Sequence, residues 1–145
     1  MKTLIGLIIC ILFVAFFVFN LKTPSNLGLT GDKLMPIPKS PNAVSSQTDQ
    51  RDKYVQPLTI YGSVQGSQDK IVTILIEMGC KIITRSKVYI HATHDSNIFH
   101  FRDDLEFFFN EPKGLIEIRS ASRVGYSDLG VNRDRYIKIK NAYEL

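Results

Sequence analysis

The stretch LEFFFNEPKGLIEIRS, residues 105–120, decides the fold of this chain. Two runs rich in apolar residues, 105–109 and 115–120, flank the tetrapeptide Glu-Pro-Lys-Gly. Proline and glycine favour a turn at these positions, so the stretch predicts a β-hairpin.

The register of this hairpin follows from hydrophobicity and charge together. If Phe109 pairs with Ile116, Phe107 lies on an apolar face that can cover a core. The same register places Glu106 beside Arg119 on the opposite face, where the two charges attract.

The residues before the hairpin predict a helix and further strands. Apolar residues recur at helical spacing over residues 68–78, with Ser67 as the expected N-cap and Gly79 as the expected stop. Residues 81–93 are rich in β-branched side chains and alternate in polarity, which predicts one long strand or two short ones.

The C-terminal element has two interpretations. Residues 136–140 alternate like a strand, but Tyr136, Ile139 and Tyr143 share a helical stripe and Asn132 is a good N-cap. We predict a helix. The fold class is therefore α+β, a small two-layer domain in which two helices cover one face of an antiparallel sheet.

The N-terminal segment predicts a membrane anchor. Residues 3–21 carry no charge, and a helix of this length reaches about 28 Å, enough to cross a bilayer core. A cleaved signal peptide is the alternative, but residues 16–19 continue the apolar run without a small-x-small site. Residues 7–10 faintly resemble a lipoprotein cleavage box, although Ile9 is β-branched where a small residue is required.

We therefore divide the chain into a transmembrane signal anchor (residues 1–22), a proline-rich extended lead-in (23–56) and an α+β domain (57–145). Within the lead-in, residues 36–42 (the strap) contain three prolines and are expected to lie stiffly against the domain. The expected partner of residues 3–21 is the lipid bilayer. The short N-terminal tail favours a single-pass protein with its domain on the periplasmic or outer side, although the lysines flanking the anchor nearly balance.

Composition narrows the classes of function. The net charge is +4 and the basic residues are spread along the chain, so no nucleic-acid partner is expected. Two cysteines, Cys10 and Cys80, provide no disulfide framework or cysteine metal site. His91 and His94 would point to opposite faces of a strand, which argues against zinc. No motif for a nucleotide or another cofactor is present, and neither a metal nor a cofactor is expected.

The most concentrated polar segment, residues 119–133, follows the hairpin and leads into the last helix. Its arginines can bind carboxylate or phosphate, and nearby acids can complete a polar site. Alternatively, the arginines pair with those acids and only fix the loop. The candidate ligand-binding or anion-binding residues are Asp103, Asp104, Arg119, Ser120, Ser122, Arg123, Tyr126, Asp128, Asn132 and Arg133.

The same segment, read in full as RSASRVGYSDLGVNR, resembles the signature of the domain of unknown function 1499 family. The runs FRDDLEF, residues 101–107, and SPNAVSSQ, residues 40–47, support the resemblance, which spans about residues 27–141. It implies a small domain, often behind a membrane anchor, with no established activity.

One departure from the family pattern concerns the strap. The family's lead-in commonly reads Cys-Pro-x-Ser-Pro-Asn-Cys, and this chain has Ile37 and Ala43 at the two cysteine positions. Their joint replacement fits a dispensable disulfide in relatives that staples the strap to the domain.

These observations favour a noncatalytic binding or interaction module at the cell envelope, with an anionic ligand or an envelope protein as its partner. Two other classes remain open. One is an envelope hydrolase that uses the carboxylates of Asp103 and Asp104, with Ser122 or Tyr126. The other is an accessory subunit of a membrane complex.

Overall fold

A computed structural model describes residues 2–96 and 100–145. Residue 1 of the predicted anchor and residues 97–99 of the predicted domain lie outside this range. The elements, in chain order, are α1 (Lys2–Leu21), β1 (Leu29–Thr30), β2 (Lys33–Leu34), β3 (Ala43–Ser45), β4 (Leu58–Thr59), α2 (Val64–Glu77), β5 (Lys81–Arg85), β6 (Tyr89–Asp95), β7 (Arg102–Asn110), a 3-10 turn (Glu111–Lys113), β8 (Leu115–Ser122) and α3 (Val131–Glu144).

The main sheet is antiparallel and has the spatial order β3-β8-β7-β6-β5, and β4 also pairs with β8. The predicted hairpin is confirmed as β7 and β8. Phe109 pairs with Ile116 and Glu106 with Arg119, as the sequence predicts. The turn between them ends at Gly114, whose φ of 66° is readily adopted only by glycine.

Both helices of the domain cover one face of this sheet, as predicted. Ile71 and Leu75 of α2 and Tyr136 and Ile139 of α3 share one core with apolar side chains of the sheet, including the fully buried Phe107. Along each strand, the residues of this face alternate with residues of the opposite face, as the period of two in a β-strand requires. The fold is therefore α+β, with a helical layer on a sheet.

The predicted helix starts are both wrong by a few residues. α2 begins at Val64, because Ser63 rather than Ser67 accepts the capping bond, from the Gly66 amide at 3.0 Å. The Ser67 side chain is buried and instead contacts the backbone of Tyr61.

The start of α3 is likewise displaced from Asn132. This helix begins at Val131, after Gly130, whose φ is 87°. Asp128 accepts the Asn132 amide at 2.8 Å, so it performs the capping role that the sequence assigned to Asn132. The side chain of Asn132 is thereby free to point into the domain.

The N-terminal helix α1 is long and apolar enough to cross a membrane. Residues 4–21 have a mean hydropathy of 3.0, and 6% of them are buried in the protein. A helix of this kind near an N-terminus is compatible with a membrane anchor or a signal sequence.

The lead-in covers the face of the sheet that the helices leave open. β3 forms an edge strand beside β8, and the Ser46 amide continues this ladder to the Ile118 carbonyl at 2.9 Å. Residues 43–45 thus belong to the main sheet, although they lie in the segment predicted as lead-in. The lead-in also contacts the second face of the sheet, where the Gly28 amide donates to Glu106 at 2.6 Å, and most side chains of β7 and β8 on this face are buried.

Candidate functional site

The open face of the sheet carries ionisable side chains where a core would normally have apolar ones. His91, Asp104, Glu106 and Arg119 all lie on this face, and each is at most 5% exposed. Charges are buried in proteins only when they are paired or hydrogen-bonded. We call this set, together with Arg123, the charged layer.

Glu106 forms the first ion pair of the charged layer. Its Oε1 accepts bonds from the Gly28 amide and the Tyr89 hydroxyl, both at 2.6 Å. Its Oε2 accepts a bond from Arg119 Nη1 at 2.6 Å. Burial, and then the bond to Glu106, raise the pKa of Tyr89, so its hydroxyl stays protonated and donates.

Asp104 forms the second ion pair of the layer. Its two oxygens accept a fork from Nε and Nη2 of Arg123, with both distances at 2.8 Å, and Oδ1 also lies 2.8 Å from His91 Nε2. Burial alone would raise the pKa of Asp104, but the bonds from His91 and Arg123 outweigh it and hold the pKa below its ordinary value.

Arg119 differs from Arg123 in one respect. Glu106 engages its Nη1, but its Nε, which is buried, has no hydrogen-bond partner among the described residues. Nε and Nη2 form the edge of a guanidinium that binds a carboxylate or phosphate with two parallel bonds. In Arg123 that edge is occupied by Asp104, whereas in Arg119 the Nε of this edge has no acceptor among the described residues.

A pocket of about 280 Å³, which Arg119 helps to line, lies between the charged layer and the lead-in. Its walls come from three parts of the chain: the segment after the anchor, the strap, and the end of the hairpin. The lining residues are Pro24, Asn26, Pro38, Ser40, Asn42, Asp104, Arg119, Ala121, Ser122, Arg123, Val124 and Gly125.

A buried lysine fixes the strap as one wall of the pocket. Lys53 Nζ donates to the carbonyls of Pro38, Lys39 and Ser40, at 2.8, 2.7 and 2.7 Å. All three ammonium donors are thereby used, and the ammonium is satisfied by backbone dipoles instead of a carboxylate.

Other predicted site residues gather on the helix side of the sheet. The centre is Asn132, which is 0% exposed. Its side-chain Nδ2 lies within hydrogen-bonding distance of three acceptors, which share its two N–H groups: the Asn42 carbonyl at 3.1 Å, Ser122 Oγ at 3.0 Å and Asp128 Oδ2 at 2.8 Å. Its Oδ1 accepts from the hydroxyl of Ser120. This cluster joins the strap, the hairpin and α3, and its bonds are internal.

The two adjacent aspartates are separated by the sheet. Consecutive strand residues point to opposite faces, so Asp104 faces the lead-in and Asp103 faces the helices. Asp103 pairs with Arg135 of α3 at 2.7 Å, and Arg135 also lies 3.4 Å from His94 Nδ1. Burial, and then the nearby Arg135, lower the pKa of His94. His91 and His94 therefore lie on opposite faces, as the sequence predicts.

Two predicted residues lie away from both clusters. Tyr126 is 79% exposed. Arg133 donates to the carbonyls of Asp52 and Tyr54, at 2.7 and 3.1 Å, and so ties α3 to the lead-in. Within the described part of the chain, no group of three His, Cys, Asp or Glu side chains is placed to hold a metal ion.

The candidate set predicted from sequence omits several residues that complete these clusters. They are Lys53, Tyr89, His91, Glu106 and Arg135. The period of two along β6 and β7 places His91 and Glu106 on the same face as Asp104. The predicted pairing of Glu106 with Arg119 had already placed Glu106 on the face opposite the apolar core. No local signal identifies Lys53, because its three acceptors are backbone carbonyls.

Fold and site together define a small α+β domain, behind an apolar N-terminal helix, with a charged layer buried under an extended lead-in. The chain belongs to the family described as "Protein of unknown function (DUF1499)", whose sequence profile matches residues 33–142. The match includes the strap, the whole hairpin and most of α3. No curated protein matches the chain in sequence.

Proposed function

We propose that this chain is a membrane-anchored, noncatalytic binding module whose pocket accepts a carboxylate or phosphate group. In this proposal residues 1–22 form the anchor, and the bilayer is its partner. The observation that carries the proposal is the buried Nε of Arg119, which has no acceptor among the described residues and belongs to a side chain that lines the pocket. A ligand oxygen there would satisfy a donor that is otherwise costly to bury.

The state of the acids supports binding over hydrolysis. Paired carboxylates for hydrolytic work must face one cleft, but Asp103 and Asp104 point to opposite faces of β7. Each also forms an ion pair with an arginine at 2.7 or 2.8 Å. Neither is arranged as a general acid or base of a shared site.

The test measures binding of inorganic phosphate and of acetate to the full chain in a nonionic detergent, by isothermal titration calorimetry. Arg119→Lys keeps a positive charge facing Glu106 but removes Nε and the two-bond edge. We expect this substitution to weaken binding of the preferred anion at least about tenfold, the effect of losing one charged hydrogen bond.

Arg85→Lys is the matched control, because Arg85 is a partly exposed arginine that pairs with Asp69 far from the pocket. It should bind like the wild type. Circular dichroism confirms that each variant is folded. If neither anion binds to the wild type, or if folded Arg119→Lys binds as tightly as the wild type, the proposal is wrong.

The same proposal places the domain on the periplasmic or outer side of the membrane. Reporter fusions after Leu145 test this orientation. A fusion to alkaline phosphatase should be active, and a fusion to green fluorescent protein should not fluoresce, because it is exported unfolded. The opposite pair of results would place the domain in the cytoplasm.

A further inference from the structure

The end of the apolar helix is attached to the domain beside the pocket. Asn20 is 1% exposed; its amide donates to the His100 carbonyl at 2.7 Å, and its Oδ1 accepts the Arg102 amide at 2.8 Å. The carbonyl of Leu21, the last residue of α1, accepts a bond from Arg123 Nη1 at 3.0 Å. Arg123 therefore joins the anchor to the charged layer.

This attachment determines the depth of Arg123 relative to a membrane. A helix of 20 residues is about 30 Å long, which matches the hydrocarbon core of a bilayer. If α1 spans the membrane, Leu21 lies where the hydrocarbon ends and the headgroups begin. A guanidinium bonded to the Leu21 carbonyl then lies at the level of the lipid phosphates.

A second pocket, of about 310 Å³, opens at this junction. It shares Pro24, Asn26 and Arg123 with the first pocket, so the two adjoin. Its other lining residues include Phe19 on the anchor and Lys22 immediately after it. Apolar surface, a lysine and an arginine thus meet where the acyl chains of a lipid give way to its headgroup.

The charges at this junction favour an anion. The side chains of Asp104 and Glu106 are paired with Arg123 and Arg119. Lys22 forms no salt bridge with any carboxylate in residues 2–96 or 100–145. The junction therefore has one positive charge in excess, and basic residues beside a membrane attract anionic lipids.

We infer that the ligand of the pocket is the anionic headgroup of a membrane phospholipid, which enters at the junction and reaches Arg119. This inference rests on the proposed binding function and names its ligand class. A phosphate ester of a lipid and a free phosphate present the same oxygens to Arg119, so the experiment must separate the two sources.

The experiment places the full chain in nanodiscs of phosphatidylcholine alone or with phosphatidylglycerol. The protein is then released into mild detergent, and native mass spectrometry counts the lipid that it retains. The variants are Arg119→Lys and Asn26→Trp, which fills the shared entrance from an exposed position without altering the charged layer. Asn141→Trp, at an exposed position of α3, is the matched control.

We expect the wild type and Asn141→Trp to retain phosphatidylglycerol in preference to phosphatidylcholine. Arg119→Lys and Asn26→Trp should each retain about tenfold less of it. Equal retention of both lipids by the wild type, or unchanged retention by Asn26→Trp, overturns the lipid assignment.

A parallel titration with inorganic phosphate separates the two proposals. If the wild type binds free phosphate in an Arg119-dependent manner but shows no lipid preference, the lipid assignment fails and the binding function stands. If the wild type binds neither free anions nor phosphatidylglycerol, both proposals fail.

Discussion

Replacing Lys53 with methionine tests how the lead-in is held against the sheet. Methionine keeps the apolar stem and the volume of the buried side chain but removes an ammonium that donates to three carbonyls of the strap. A hydrogen bond to a charged group contributes about 1.5–3 kcal/mol. The lysine must also be desolvated on folding, and water can reach the partly exposed strap in the variant, so the three bonds do not add fully.

We therefore expect Lys53→Met to lower the free energy of unfolding by about 3 kcal/mol, measured by urea denaturation of the full chain in detergent. Limited proteolysis should also show faster cleavage within residues 36–42, because the strap loses its attachment. Lys39→Met removes an exposed lysine from the same strap and should change stability by less than about 0.5 kcal/mol. If Lys53→Met is as stable as Lys39→Met, the ammonium does not hold the strap and the reasoning is wrong.

Three further variants test the two sides of the sheet. Asn132→Ala leaves the buried partners of Asn132 unsatisfied and should lower the free energy of unfolding by about 3 kcal/mol, measured by urea denaturation. A decrease below about 1 kcal/mol would show that Asn132 is not the centre of its cluster. Ile37 and Ala43 share a buried cluster, so the double variant Ile37→Cys/Ala43→Cys should oxidise to an intramolecular disulfide, seen as a mass loss of two hydrogens. Closing this short loop should make the oxidised form about 2 kcal/mol more stable than the reduced form, and free thiols after oxidation would refute the expected proximity. Because the pKa of Asp104 is lowered on folding, its ion pairs stabilise the fold above about pH 4 and this contribution is lost as the pH falls through the lowered pKa. Asp104→Asn should therefore be less stable than the wild type at neutral pH, by an amount that shrinks below about pH 4, and a difference independent of pH would show that the carboxylate charge is not responsible.

The hairpin could be predicted in detail because its signals are local and mutually consistent. Its turn, its apolar alternation and the pairing of Glu106 with Arg119 all require one register. The helix starts are harder to predict than the hairpin, because several serines and asparagines near each start can serve as the N-cap. In the folded chain Ser63 caps α2, and the side chain of Asn132 is buried.

The sequence predicts many of the residues of the candidate site but not which of them lie together in space. Grouping Asp103 with Asp104 treated neighbours in sequence as neighbours in space, although β7 extends back to Arg102 and so directs them to opposite faces. The bond between the Gly28 amide and Glu106 spans 78 residues, and no local pattern predicts such a contact. The charged layer depends on contacts of this kind, so only the folded chain reveals it.

The pairing of β3 with β8 has a consequence for biogenesis. Synthesis makes residues 43–45 well before their partner strand, Leu115–Ser122, so the lead-in cannot complete this pairing until the ribosome has passed that strand. Contacts so distant in sequence also slow folding. The hairpin of β7 and β8, whose strands are adjacent in the chain, is therefore expected to form first and to provide the edge to which residues 43–45 are added later.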